Sequence, residues 1–326
     1  MHTLQAGLSV STNSVLIIGE GQRARMCAHT LVQRGRGRFV LAGVIPPDEA
    51  RSVLLQRGSS VLAGVADGRV PGKIVIASRD AEAIPSDLLV ALRFAGVEVQ
   101  DATAFVEDFT GQVPVRSLVP SELVFAPGFR ISRPALAVKT VIEWLIACVL
   151  LALALPLIGL AALAILLTDG QPIFFRQTRI GLGGREFRLV KMRTMRKDAE
   201  RHGPAFCAEG DSRITAVGQV LRRLRIDELP QLFNVLRGEM SLVGPRPEQP
   251  AFVREFHQLS PYYTLRHCFR PGITGWAQVN FGYADNAEDT LEKLSYDLFY
   301  IKNFSLALDL RIWALTAWVV LTARGR

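Results

Sequence analysis

The sequence is poor in cysteine and aromatic residues, and it has no motif typical of zinc binding. Its 326 residues include four cysteines, and aromatic residues make up 8% of the chain. The cysteines form no CxxC pair (Cys27, Cys148, Cys207 and Cys268), which argues against a zinc site and favours a reducing compartment. The first 14 residues lack a basic region followed by an apolar core, so we expect no signal peptide.

Acidic residues are outnumbered by basic ones, and the excess is uneven. The formal net charge is +8, with 14 Lys/Arg against 12 Asp/Glu in residues 1–135 and 24 against 18 in residues 136–326. A basic chain suits a polyanionic partner such as a nucleic acid, an anionic lipid or a phosphorylated substrate. Because no nucleic-acid-binding motif is present, we expect no nucleic-acid partner. The charge therefore favours a phosphorylated or lipid partner for the second part.

Short apolar runs alternate with helical segments over the first third of the chain. The runs typical of strands are residues 14–18, 38–45, 73–78 and 97–102, and the helical patterns among them cover about residues 19–34 and 86–96. Strands that alternate with helices predict a parallel α/β sheet of the doubly wound type. We therefore predict a Rossmann-like domain over residues 1–133.

A short glycine motif follows the first of these strands. Gly19, Gly21 and Ala24 fit GxGxxA after a strand, the context of a phosphate-binding turn. The acidic residue that should follow the second strand can only be Asp48 or Glu49, behind two prolines. A structural turn is therefore the favoured interpretation over a nucleotide site, and a nicotinamide-dependent enzyme is an alternative that we do not expect.

One long apolar run stands in the middle of the sequence. Residues 141–167 carry a single charge near their start, and about 20 apolar residues suffice to cross a bilayer. Pro156 lies at the midpoint, where it removes a backbone hydrogen bond, and both flanks are basic. Because positive charge collects on the cytoplasmic side, we predict a re-entrant helix over about residues 139–167 that bends at Pro156. A plain transmembrane helix is the alternative.

A second, shorter apolar segment ends the chain. Residues 309–326 contain Trp313, Trp318 and terminal arginines, a composition typical of a helix in the membrane interface. A C-terminal helix packed in the core explains the same pattern nearly as well.

Two adjacent carboxylates, Asp227 and Glu228, stand between arginines and an apolar helix pattern. Pro230 is tolerated only in a first helical turn, so the pattern predicts a helix that begins close to Asp227, with Asp227 at or near its N-cap, where the helix end favours an anion. Capping alone would explain the pair. However, Arg222, Arg223 and Arg225 precede it and Arg246 follows it between two prolines. Arginines bind phosphate oxygens in bidentate fashion, and a carboxylate beside them can act as a nucleophile or hold Mg²⁺.

Four blocks of the second part together resemble a known family. Residues 191–195, 221–248, 270–279 and 294–312 are similar to the bacterial sugar transferases that load polyprenyl phosphate, the monotopic phosphoglycosyl transferases. Residues 96–129 resemble the soluble domain of the larger, exopolysaccharide-type members. The resemblance implies a mixed α+β, membrane-associated catalytic domain over residues 134–326, with its catalytic part in residues 168–326.

The resemblance also implies a two-step reaction and its residues. Asp227 would attack the β-phosphate of a UDP-sugar, release UMP and form a phosphosugar-aspartate, which undecaprenyl phosphate would then attack. Glu228 would position Mg²⁺, with Asp227 as the second carboxylate of the metal site. The implied phosphate-binding side chains are Arg222, Arg246, Lys191 and Arg193.

The resemblance finally implies a place in the cell and a set of partners. A polyprenyl tail stays in the bilayer while nucleotide sugars are cytosolic, so we expect a monotopic protein of the inner membrane whose active site faces the cytoplasm. UDP-glucose is the favoured donor, and a homo-oligomer is left open. The alternative function is a non-catalytic membrane scaffold or regulator of polysaccharide assembly.

Overall fold

Four parallel strands form the sheet of the first part of the molecule. The computed structural model describes residues 10–35, 37–56, 70–78, 80, 85–118, 120–125, 128–130, 132–199, 211–281 and 287–322. The chain divides into two compact units, Met1–Leu118 and Val119–Arg326. The strands of the first unit are β1 (Val10–Ile18), β2 (Val40–Ile45), β3 (Val70–Ile76) and β4 (Glu98–Asp101). They pair in the order β2-β1-β3-β4, all in parallel, which confirms the predicted parallel sheet.

Helices cover both faces of this sheet. They are α1 (Gly21–Arg34), α2 (Pro47–Gln56), α3 (Ser86–Phe94) and α4 (Ala102–Thr110). Side chains alternate along β1, so Leu16 and Ile18 pack in one cluster with residues of α2 and α3. Val15 and Ile17 pack in the other cluster with residues of α1 and α4. The sequence analysis predicted α1 and α3 but missed α2 and α4.

The second unit mixes helices with two small sheets. Its helices are α5 (Pro120–Phe125), α6 (Arg133–Thr168), α7 (Ala216–Arg223), α8 (Gln231–Leu236), α9 (Pro250–Leu259), α10 (Trp276–Asn280), α11 (Ala287–Lys302) and α12 (Leu306–Leu321). Its strands are β5 (Phe174–Ile180), β6 (Glu186–Met192), β7 (Ser241–Val243) and β8 (Gly272–Thr274). Strands β5 and β6 form an antiparallel hairpin, whereas β7 and β8 pair in parallel.

The apolar run of the sequence forms one long helix, α6. The Ser132 side chain accepts a hydrogen bond from the Ala135 N–H at its start, and Pro156 lies inside it. The helix has 36 residues, and an 18-residue window within it has a mean hydropathy of 2.8, so it is long and apolar enough to cross a membrane. At 1.5 Å per residue the helix is about 54 Å long.

One stripe of α6 is buried along most of its length. Its apolar members recur at helical spacing and join a cluster with residues of β6, α7, α8 and β7: Ala147, Leu151, Ala154, Ile158, Ala161 and Ile165. The other faces leave leucines such as Leu153 and Leu160 largely exposed. One side of the helix therefore packs against the rest of the second unit, and its exposed sides are apolar.

The last helix, α12, has a similar two-sided character. Ile312 is fully buried and Trp313 packs against the α6 cluster, while Leu310 and Trp318 are exposed. One face is docked in the core, as the second interpretation expects. The other face is apolar and exposed, and its position in a membrane interface stays a prediction. The terminal Arg324 and Arg326 lie outside the described residues.

Candidate active site

The two adjacent carboxylates lie in a tight turn between α7 and α8. Arg225 has a positive φ of 57° and reverses the chain, and a 3-10 turn, Ile226–Glu228, follows. Helix α8 begins only at Gln231, with Pro230 as its N-cap and no side-chain capping bond. The prediction that Asp227 caps this helix is therefore wrong. Pro230 has no N–H to donate to Ile226, so helical bonding cannot pass through it.

Asp227 is buried and lacks a full set of partners. Its side chain is 7% exposed, and its Oδ1 atom accepts no hydrogen bond within the described part of the chain. Burial, and then the neighbouring Glu228 charge, raise the pKa of Asp227 to about 6, although Lys191, Arg222 and Arg225 oppose the rise. A position at a helix N-terminus would favour the ionised carboxylate, but the pKa of Asp227 is set instead by burial against three cations.

Glu228 has the opposite electrostatic setting. Its Oε1 atom accepts a hydrogen bond from Arg246 Nη2 at 2.8 Å and lies 3.5 Å from Lys191 Nζ. Burial alone would raise its pKa, but the charges of Arg246 and Lys191 hold the pKa of Glu228 well below its usual range. Burial lowers the pKa of Lys191 to about 8 despite the attraction of Glu228. The two carboxylates of the dyad therefore titrate far apart.

Arg222 is held at the site by the segment after β6. Its Nε atom donates to Thr194 Oγ1 at 2.9 Å. Gly218, one turn earlier on α7, approaches the same segment so closely that a Cβ there would lie 2.1 Å from the Thr194 carbonyl oxygen. Helix α7 thus rests on Thr194 and aims Arg222 at the charge of Asp227.

Arg193 is directed elsewhere. Strand β6 ends at Met192, and the Arg193 Nη2 atom donates to the carbonyls of Asp169 and Gly170 at 2.9 and 2.7 Å. These carbonyls end α6, so Arg193 caps the C-terminal end of the long helix. Of the predicted site residues, the structure brings together Asp227, Glu228, Lys191, Arg222 and Arg246, and Arg193 bonds to a different place.

A buried arginine that the sequence analysis missed supports Arg246. Arg266 is 3% exposed and donates from Nη2 to the Arg246 carbonyl at 2.8 Å and to Asp297 Oδ2 at 2.7 Å. Its Nη1 atom donates to the Tyr263 hydroxyl at 2.5 Å. Through its bond to the Arg246 carbonyl, Arg266 holds the backbone of the Pro-Arg-Pro segment in place, and this backbone carries the Arg246 side chain.

The far end of the same segment is fixed by a second group of charges. Arg179 on β5 donates to the Pro247 carbonyl at 3.0 Å and to Glu248 Oε2 at 3.3 Å. Lys293 on α11 donates to Glu248 Oε1. Burial would raise the pKa of Glu248, but Lys293, Arg266 and Arg179 lower it to about 2. No local pattern in the sequence indicates these pairs, because their members are 45 to 69 positions apart.

The site meets the minimum that a magnesium ion needs. Among the described residues, no three His, Cys, Asp or Glu side chains come together as a metal cluster. Mg²⁺ is usually held by one or two carboxylates together with water and substrate phosphates. The unpartnered Oδ1 of Asp227 and the adjacent Glu228 carboxylate match that donor set.

Comparison with known proteins places this site in a family. The family model for bacterial sugar transferases matches residues 134–323. A relative from Aeromonas hydrophila, a UDP-N-acetylgalactosamine-undecaprenyl-phosphate N-acetylgalactosaminephosphotransferase, is 44% identical over 238 residues, which cover 73% of this chain and 55% of the relative.

Two further relatives carry a different sugar in their names. UDP-glucose:undecaprenyl-phosphate glucose-1-phosphate transferases from Caulobacter vibrioides and Xanthomonas campestris are 44% and 47% identical. The matches cover 61% and 51% of this chain, and 76% and 35% of the relatives. The chain thus spans about half the length of the first relative, a third of the last and three quarters of the shorter one. On the extent of the family match and of these identities, the chain belongs to the bacterial sugar transferase family.

Proposed function

We propose that the protein transfers a sugar 1-phosphate from a UDP-sugar to undecaprenyl phosphate, giving undecaprenyl-diphosphate sugar and UMP. The observation that carries the proposal is the buried, incompletely bonded Asp227 beside Lys191 and Arg222. Buried polar atoms are usually hydrogen-bonded, so an unbonded carboxylate oxygen whose charge interacts with three cations is suited to react with a phosphorylated ligand. The three relatives described above are named as transferases of a sugar phosphate to undecaprenyl phosphate, which supports this reaction.

In the first step Asp227 is the nucleophile. With a pKa of about 6, roughly nine-tenths of it is ionised at pH 7, and its higher basicity favours attack. An oxygen of Asp227 bonds to the β-phosphorus of the UDP-sugar, and the bond from that phosphorus to the bridging oxygen breaks, so UMP leaves. Arg222, Arg246 and Lys191 shield the approaching anion from the phosphate charges.

In the second step the lipid phosphate takes the place of the nucleotide. A phosphate oxygen of undecaprenyl phosphate bonds to the same phosphorus, and the Asp227 carboxylate leaves with its electron pair. Glu228, ionised at all working pH values through Arg246 and Lys191, holds these two cations in place during both steps. Asp227 and Glu228 are the residues that would hold Mg²⁺, and the ion would supply positive charge to offset that of the phosphate groups.

We also propose that α6 is a re-entrant membrane helix in the inner membrane, with the active site on the cytoplasmic side. The apolar, exposed faces of α6 and α12 support membrane association. The buried stripe of α6 supports re-entry, because residues on both sides of Pro156 pack in one cluster of the second unit. The parallel sheet with helices on both faces is the basis for a Rossmann-like first domain.

A radiolabel in the donor tests the reaction directly. Purified protein in detergent with Mg²⁺ receives UDP-glucose or UDP-N-acetylgalactosamine labelled in the β-phosphate, first without lipid. We expect label on the protein that hydroxylamine removes, as it does from acyl phosphates, and UMP release that becomes catalytic when undecaprenyl phosphate is added. The comparison of the two donors identifies the transferred sugar, because one relative is named for N-acetylgalactosamine and another for glucose.

The controls separate an enzyme from a scaffold. Asp227→Ala should bind no label and lose at least about 1,000-fold in UMP release, while Glu255→Ala, an exposed carboxylate of α9, should match the wild type. If a folded wild-type protein formed neither UMP nor a labelled intermediate with either donor, the scaffold alternative would replace the transferase.

A further inference from the structure

The first unit contains a cavity that the proposed reaction does not use. Its volume is about 690 Å³, within the range of pockets that bind small molecules. Side chains of both charges line it, namely Glu20, Arg23, Asp48, Asp80 and Arg116, together with the neutral Gln22. All of them belong to the first unit, so this cavity is a feature of the parallel sheet and its loops.

The cavity lies where the strand order of the sheet reverses. Glu20 follows β1, Asp48 follows β2, and Ser78 follows β3, so the lining comes from the carboxyl ends of three neighbouring parallel strands. The chain passes from β1 to β2 on one side and then to β3 on the other. Open parallel sheets bind ligands at such switch points.

The glycine motif shapes this cavity. A Cβ at Gly19 would lie 2.7 Å from the Ala77 Cβ, so only glycine lets the end of β1 approach the end of β3. A Cβ at Gly21 would meet no atom within 4 Å, so the start of α1 faces open space. The motif that the sequence analysis interpreted mainly as a structural turn therefore forms one wall of a cavity.

The charged side chains are placed as a nucleotide would need them. Arg23 and Arg116 supply guanidinium groups for phosphate oxygens. Asp48, in the first turn of α2 after the second strand, lines the same cavity. A carboxylate after the second strand is the group that bonds ribose hydroxyls in such sheets. In the sequence, the two prolines before Asp48 argued against a nucleotide site. In the structure, Asp48 nevertheless lines the cavity.

From the cavity, its place at the switch point and its paired charges, we propose that the first unit binds a nucleoside phosphate. The phosphate lies toward Arg23 and Arg116, and the ribose lies toward Asp48. The site is separate from Asp227 and its cations and does not depend on the proposed transfer reaction. It gives the first unit a ligand-sensing role of its own.

Equilibrium dialysis of the full chain tests this proposal. The probes are radiolabelled UMP, UDP, AMP and ADP, with inorganic phosphate as the comparison. We expect at least one nucleotide to bind with one equivalent that Gln22→Trp removes, because an indole at this exposed lining position fills the cavity. Gln33→Trp, at an exposed position near the other end of α1, should keep that equivalent.

Two further comparisons test the assigned chemistry. Arg23→Met should weaken nucleotide binding at least tenfold, whereas Arg25→Met, exposed on the same helix, should not. Wild-type protein should prefer the ribonucleotide to its 2′-deoxy form, and Asp48→Ala should lose that preference. Equal binding by Gln22→Trp and Gln33→Trp would overturn the proposal, and so would inorganic phosphate that binds as tightly as every nucleotide.

Discussion

Two neighbouring carboxylates, Asp227 and Glu228, have opposite electrostatic environments within one turn. Asp227 is buried with an unpartnered oxygen, whereas Glu228 bonds to Arg246 and lies near Lys191. Burial destabilises the ionised form of Asp227, so its pKa is raised. The neighbouring cations stabilise the ionised form of Glu228, so its pKa is lowered. Such a separation is typical of sites that assign different roles to similar groups.

The first prediction concerns the stability of the metal-free protein. Because the pKa of Asp227 is raised from 3.8 to about 6, its ionised form costs folding free energy above pH 6. This cost is about 3 kcal/mol when fully present, and it disappears as the pH falls toward 4. Asp227→Asn should therefore raise the thermal midpoint by roughly 6 °C at pH 8, with a smaller gain at pH 5, in detergent with a chelator.

The adjacent residue supplies a control of opposite sign. The pKa of Glu228 is lowered, so its ionised form stabilises the fold, and that contribution is present throughout this pH range. Glu228→Gln should lower the midpoint at pH 8, because Arg246 and Lys191 lose their shared anion. Shifts of the same sign in both variants would contradict the assigned environments.

At the scale of elements, helix α7 positions the site through one close contact. The Gly218 backbone and the Arg222 side chain both rest on Thr194. Because residues four apart share a helix face, any displacement at Gly218 also moves Arg222. The position of Arg222, which we propose binds phosphate, therefore depends on a glycine that has no side chain to react.

The second prediction follows from this contact. Gly218→Ala should cost about 3 kcal/mol in unfolding free energy, because the new Cβ would lie 2.1 Å from a backbone carbonyl oxygen. It should also lower UMP release at least tenfold. Gly159→Ala in α6 is the matched control, since a Cβ there meets no atom within 4 Å and alanine favours a helix. A Gly218→Ala protein as stable and active as the control would refute the contact.

The elements themselves were largely predictable from the sequence, whereas their junctions were not. Alternation and apolar runs predict β1, α1, α6 and the helix after Asp227, because these patterns are local. The break at Pro230 moved the start of α8 and took Asp227 out of the capping position.

Residues that act through distant partners escaped the sequence analysis. Arg266 and Asp297 are 31 positions apart, and Arg179 and Glu248 are 69 apart, so no periodicity connects them. Arg193 was expected to bind phosphate, but its guanidinium group donates to the carbonyl groups that follow the end of α6. The acidic pair and its nearby arginines, by contrast, were visible because they lie within about twenty positions of each other.

At the scale of the whole second unit, α6 connects an exposed apolar surface with the candidate active site. Ala147, Leu151 and Ala154 precede Pro156, and Ile158, Ala161 and Ile165 follow it, all in one buried cluster. Ile226, next to Asp227, packs against the same cluster. If α6 crossed the bilayer straight, the part of the site packed against it would lie in the hydrocarbon region. Charged side chains there carry a large free-energy cost.

The third prediction tests the path of α6 through the membrane. In a variant without native cysteines, single cysteines replace Arg133 at the start of α6, Thr168 at its end, or the exposed Leu157 between them. Re-entry predicts that a membrane-impermeant maleimide labels both ends in inverted vesicles and neither end in intact spheroplasts. Leu157→Cys should resist the reagent in both, because it lies within the bilayer. Label at one end in spheroplasts would establish a crossing helix, and Asp227 would then need another route to a lipid phosphate at the cytoplasmic face.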